Sequence, residues 1–190
     1  MRRLTLLLCG LAICGACSEP PQKELDRAQG AVDTARAAGA ERYANAEFTA
    51  AATALQQANE AVAQRDYRLA LSRALAASER AQQSARQAAE GKSRARADVE
   101  VALARAAIAV QQLQQAIKAG AAAQTPASVL GKARMTASSS EAVLQKAREL
   151  LEAEQFLDAG TVLAGLPERI TEQIEAIANT RKTRPGRRRS

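Results

Sequence analysis

The chain has 190 residues, enough for one or two small domains, and alanine is by far its commonest residue. It has no His and no Trp, and its three cysteines (Cys9, Cys14, Cys17) all fall in the opening stretch, which excludes imidazole chemistry and a disulfide framework across the body. The formal charge of +7 belongs to the ends: Arg2 and Arg3 open the chain, Arg181, Lys182, Arg184, Arg187, Arg188 and Arg189 close it without an acid, and setting these eight aside leaves −1, so no nucleic-acid partner is expected.

The opening, MRRLTLLLCGLAICGACSEPP, has the layout of a signal peptide. Two arginines precede an uncharged run from Leu4 to Ile13, about half the ~20 apolar residues that a spanning helix needs. Polar residues and Pro20-Pro21 follow at once. Cysteines gathered at such a cleavage site resemble the lipobox of bacterial lipoproteins, in which a small residue precedes a cysteine that carries diacylglycerol and becomes the new N-terminus. Cys17 fits best, because Gly15-Ala16 precede it while Cys14 follows Ile13 and Cys9 follows Leu8. Cys14 stands where lipoboxes usually have leucine, so Cys14 is the other candidate, and a plain secretory signal cut near Ala16 is the alternative. The expected organisation is a signal peptide over 1–16 and a lipidated N-terminus with linker over 17–21. Lipoproteins carry at least two acyl chains, which makes anchoring stable. By resemblance to their sorting rule, Ser18 after the cysteine implies the outer membrane, with the body in the periplasm.

Apolar residues at spacings of three and four then predict helices in chain order. Leu25, Ala28, Val32 and Ala35 mark the first, which stops at Gly39. Asn45 is the expected N-cap of the second, lined by Phe48, Ala52, Leu55, Ala58 and Val62. Asp66 is expected to cap a third, opening with Tyr67, Ala70, Leu71, Ala74 and Leu75. Beyond Gly91, Val99, Leu103, Ala106, Val110, Leu113 and Ile117 continue it as a heptad seam, so one helix of about 80 Å from Tyr67 to Ala119 is expected. Thr125-Pro126 should start a fourth, lined by Val129, Ala133, Val143, Ala147, Leu150 and Leu151. A fifth carries Phe156, Ala159, Leu163, Leu166, Ile170, Ile174 and Ile177, with Gly165 and Pro167 expected to kink or restart it. The last residues, 181–190, read as a disordered basic tail.

An internal repeat links these helices. A shift of 81 places Ala35, Ala38, Gly39 and Ala40 on Ala116, Ala119, Gly120 and Ala121, and a shift of 89 places Leu55, Ala58, Tyr67 and Ala70 on Leu144, Ala147, Phe156 and Ala159. Met135 to Ala142 accounts for the eight extra residues. The expected fold is all-α: an elongated antiparallel helical bundle of two three-helix units, 22–91 and 92–180, sharing a long central helix. In connectivity this resembles the joining of spectrin-type repeats. Two separate hairpins of tetratricopeptide type are the alternative.

No catalytic constellation emerges, so an enzyme, a cofactor and a metal site are not expected. Glu41, Glu47, Asp66, Asp98, Glu100 and Glu168 read as caps and solvated faces. Tyr43, Tyr67 and Phe156 are the large anchors among small residues, packing where helices turn or docking a partner.

Ala38 to Ala40, Tyr43-Ala44, Glu47, Leu55, Ala58 and Asp66-Tyr67 together resemble the alanine-rich domain of unknown function found in proteobacterial envelope lipoproteins, over about residues 35–90. Asn45 replaces that family's usual proline. The expected function is a noncatalytic spacer or adaptor of the cell envelope, on the periplasmic face of the outer membrane, with envelope proteins as partners. A chaperone-like or assembly module that binds clients in helical grooves is the alternative. Arg181, Lys182, Arg184, Arg187, Arg188 and Arg189 are the candidate contact to an anionic surface, lipopolysaccharide or peptidoglycan, against a tail that only aids solubility.

Overall fold

In the computed structural model of the chain, residues 19–182 are described, with side chains as far as 180. These residues form helices and turns, without a strand among them: α1 (Gln22–Ala37), α2 (Ala40–Tyr43), α3 (Asn45–Ala63), α4 (Tyr67–Ala122), α5 (Ala127–Glu152), α6 (Phe156–Leu163) and α7 (Leu166–Lys182). The fold is all-α. Two compact units divide after Gly91, and α4 contributes to each.

In the first unit, α1 starts directly after Pro20-Pro21, because Pro21 has no N–H to give and its carbonyl accepts from Leu25 N–H at 3.1 Å. It ends at Gly39, whose φ of +83° is a left-handed conformation that glycine adopts without a Cβ penalty. The single turn α2 follows, and it was not expected. It changes the role of Asn45, which stands at the first position of α3 and donates from Nδ2 to Glu41 O at 3.1 Å instead of capping. A one-turn helix leaves its carbonyls free, and this side chain reaches back to one of them. Asp66 does cap α4, accepting from Leu69 N–H at 3.0 Å.

The core of this unit joins α1, α2, α3 and the first part of α4 through alanines: Ala28, Ala35, Ala51, Ala58, Ala74 and Ala81 are all fully buried. Only Leu25, Val32, Phe48 and Leu55 are larger among its described buried apolar residues. Small side chains let helix axes approach closely, so burial is shared over many short contacts. At the start of α4 the expected Ala70 and Ala74 are inside, joined by Ala77, Ser78 and Ala81, whereas the expected Leu71 and Leu75 are exposed.

The second unit is filled by larger side chains. Val99, Leu103, Val110 and Leu113 of α4 are buried with Leu130 and Leu144 of α5, Phe156 and Leu163 of α6, and Leu166, Ile170 and Ile177 of α7. On α5 the expected Ala133 and Ala147 are fully buried, but Leu130 and Leu144 go inside with them, along with Ala137 and Ser140, leaving Val129 and Val143 half-buried. Both registers keep spacings of three and four, so periodicity does not separate them. Gly165, at φ +71°, separates α6 from α7, as its sequence suggests. α7 continues through Lys182, two residues into the span read as tail.

Three turns share one geometry. After α3, Asp66 N–H donates to Ala61 O (2.9 Å) and Arg65 N–H to Val62 O (2.9 Å); after α5, Gln155 N–H donates to Leu150 O (2.8 Å) and Glu154 N–H to Leu151 O (3.1 Å). After α4, Thr125 N–H bonds Gly120 O (2.9 Å) and Gln124 N–H bonds Ala121 O (3.1 Å). Each is a Schellman motif that closes a helix through a left-handed residue, here Arg65, Glu154 and Gln124. The first two lie 89 positions apart, matching the repeat. The shift of 81 is corrected: it pairs the left-handed Gly39 with Gly120, which lies inside α4, one turn short of the residue in that conformation, Gln124. Gly120 serves close packing instead, since a Cβ there would come within 2.9 Å of Ile177 Cγ2 and 3.1 Å of Leu130 Cδ2. Pro126 flanks α5 rather than opening it, and Thr125 Oγ1 is buried without a hydrogen bond, so Thr125 is not the cap.

Candidate functional site

Cys17 and Cys14 lie outside the described residues, as do Arg184, Arg187, Arg188 and Arg189 and the side chains of Arg181 and Lys182. The three aromatic anchors are described, and each sits at a turn. Tyr43 ends α2, its ring about 3.4 Å from where a Cβ on Gly39 would stand, and its carbonyl oxygen about 3.0 Å from the same point on Gly91. Its hydroxyl is buried without a hydrogen bond. Tyr67 opens α4, half-buried. Phe156 opens α6, buried beneath Lys92, whose Nζ is 6.0 Å from the ring centroid.

Charged groups pair locally and at the surface. Arg36 joins Asp33 (2.9 Å) and Glu41 (3.0 Å), with its guanidinium 5.4 Å from the Phe48 ring centroid. The hydrogen bond to Glu41 holds the guanidinium still more firmly protonated. In the second unit, Lys92 Nζ lies 2.7 Å from Glu154 Oε2, and this hydrogen bond, with the Lys92 charge behind it, lowers the Glu154 carboxyl below its ordinary range. These pairs are exposed and contribute little to stability; one lies at the α1–α2 turn and the other joins α4 to the turn between α5 and α6. Among the described residues no group of His, Cys, Asp and Glu could hold a metal ion, and no helix is long and apolar enough to cross a membrane.

Among the described residues each unit has an open groove. The first, between α1 and α3, has Val32 and Leu55 at its base and the amides of Gln29, Gln56 and Asn59 beside it. The second, between α4 and α5, is charged: Lys118, Arg134 and Glu141 line it, and Gln114 Nε2 donates to Glu141 Oε1 at 2.6 Å. Sequence reasoning missed a further feature, the exposed leucines Leu69, Leu71 and Leu75 near the start of α4. The signal for it was present: the small-residue stripe Ala70, Ala74, Ala77, Ala81 is longer and more regular than the leucine pair beside it. No protein-family model, curated protein or solved structure matches the chain.

Proposed function

We propose that this chain is a noncatalytic lipoprotein of the bacterial envelope, anchored at the outer membrane through Cys17 and facing the periplasm. There it acts as a spacer or adaptor in which two three-helix units share α4 as a long central helix. The observation that carries the reading is α4 itself: 56 residues of helix run without interruption from Tyr67 to Ala122, burying Ala70 to Ala88 in the first unit and Val99 to Leu113 in the second. A helix has a set rise of about 1.5 Å per residue, which supports reading α4 as a spacer element. The opening stretch supports the anchor, with a short apolar run and Gly15-Ala16 before Cys17. The basic tail from Arg181 would add a noncovalent contact to lipopolysaccharide or peptidoglycan.

Two measurements test this. Cys17→Ser should leave the mature protein in the soluble fraction, and solution scattering of that protein should give an elongated particle. Lipid incorporated equally into the variant would overturn the site, and a spherical scattering profile would overturn the shared helix. The groove between α1 and α3 favours a second reading, a client-binding module, because Gln29, Gln56 and Asn59 offer both donors and acceptors to an extended backbone over an apolar base. Unfolded clients protected from aggregation by the wild-type body, but not by a Leu55→Glu variant that stays helical, would support it.

A further inference from the structure

We infer that the end of the first unit that carries the start of α4 docks on a phospholipid surface, the one holding the acyl anchor; the inference rests on the proposed lipidation at Cys17. Only Ser18, Glu19, Pro20 and Pro21 separate Cys17 from Gln22, where α1 begins. Five residue steps reach at most about 18 Å, so the first turn of α1 is held close to the bilayer.

The fold determines what else stands there. α1 and α3 are antiparallel: Arg36, at the far end of α1, covers Phe48 at the start of α3, while Gln29 shares a groove with Ala63 at the end of α3. The α3–α4 turn at Arg65 and the first turns of α4 therefore lie at the same end as Gln22. Leu69, Leu71 and Leu75 are 40%, 38% and 51% exposed, and they are the large exposed hydrophobics of this unit among the described residues. They are thus gathered at the end nearest the anchor.

Cations stand among them. Helical spacing sets Arg68 in one row with Leu71 and Leu75, and Arg73 one turn above Leu69. Arg65, Arg68 and Arg73 are exposed and take part in none of the ion pairs of the described residues. Of the acids at this end, Asp66 caps α4, Asp26 accepts from Gln22 and Glu60 accepts from Gln56, while Glu19 and Glu24 flank Lys23 and precede Arg27 at the start of α1. Leucine beside arginine suits the headgroup boundary, where apolar tips enter the acyl region and guanidinium groups reach phosphate. Leu71 and Leu75 share one row while Leu69 flanks the buried face from the other side of α4, and so small an apolar surface is too weak to hold a free protein. Tethering changes this, because a short linker presents the patch at an effective concentration of the order of millimolar or more.

The test uses the lipidated full-length protein in vesicles of phosphatidylethanolamine and phosphatidylglycerol. An environment-sensitive fluorophore is placed on a Leu71→Cys variant, and in a second protein on a Glu90→Cys variant, about 28 Å farther along α4. Spin-labelled lipids should quench the first at least threefold more than the second. Adding Leu69→Ser and Leu75→Ser to the Leu71→Cys protein should remove most of that difference with helical circular dichroism unchanged, since both side chains are exposed. A vesicle-bound protein whose two labels quench equally overturns the docking and leaves the anchor standing. A protein that leaves the vesicles on flotation overturns the anchor, and the docking with it.

Discussion

The two units close a pair of helices with the same turn, yet fill their interiors in opposite ways. The turns at Arg65 and Glu154 repeat the same backbone hydrogen bonds, but the first unit buries mostly alanine and the second mostly leucine, isoleucine and valine. Turn geometry therefore does not dictate core composition. It constrains how one helix leaves and the next begins, while the side chains between them set how closely they pack.

The largest effects should come from exchanging the two kinds of core. Leu113→Ala, at a fully buried position of the second unit, should cost about 2–5 kcal/mol in thermal or denaturant unfolding, by lost burial and the cavity left behind. In the first unit the damaging change is the reverse one. Ala81→Leu should cost about 1–3 kcal/mol, because the close-packed helices around it have no space for a branched side chain. An Ala81→Leu protein as stable as the wild type would break the comparison.

Glycines sharpen it at smaller magnitude. Gly131→Ala meets nothing within 4 Å and should gain up to about 1 kcal/mol, the ordinary helix preference of alanine. Gly120→Ala should lose stability, since its methyl must displace Ile177 and Leu130. Opposite signs for these two helical glycines, measured by thermal unfolding, are the expected outcome.

The turns themselves give the next effect. Arg65→Gly relieves a left-handed conformation, at φ 60°, and should stabilise by roughly 1 kcal/mol. Glu154→Gly should gain less, because it also removes the partner of Lys92. The smallest effect is electrostatic. The folded state holds the Glu154 carboxyl below its unfolded value, so its contribution is present above the unfolded pKa and is lost as pH falls through the folded one. Acid titration of the folded protein by NMR should place Glu154 below an ordinary glutamate, and Lys92→Met should restore it.

Much of this was legible before the fold was known. The stripe Leu25, Ala28, Val32, Ala35 is the buried face of α1, and Asp66 caps α4 where a capping acid is expected. The heptad positions Val99 to Leu113 are buried as a row. Where two apolar registers lay side by side, the reading failed. Val129 and Val143 gave way to Leu130 and Leu144, and Leu71 and Leu75 gave way to Ala77 and Ala81, which continue the buried row of Ala70 and Ala74. The leucine and arginine cluster near the start of α4 was not readable, because Leu71 and Leu75 fit the expected stripe.

The sequence by itself determined that this chain is helical and where most helices start and stop, because those outcomes depend on neighbours within about four residues: a proline without an N–H, a capping aspartate, an apolar residue one turn away. Only the tertiary structure decided which of two equally periodic faces turned inward. That choice depends on the partner helix, and alanines allow a close approach that leucines of the same spacing would prevent. It also assigned Gly39, at φ +83°, to the turn that ends α1, and Gly120 to a close contact with Ile177 and Leu130.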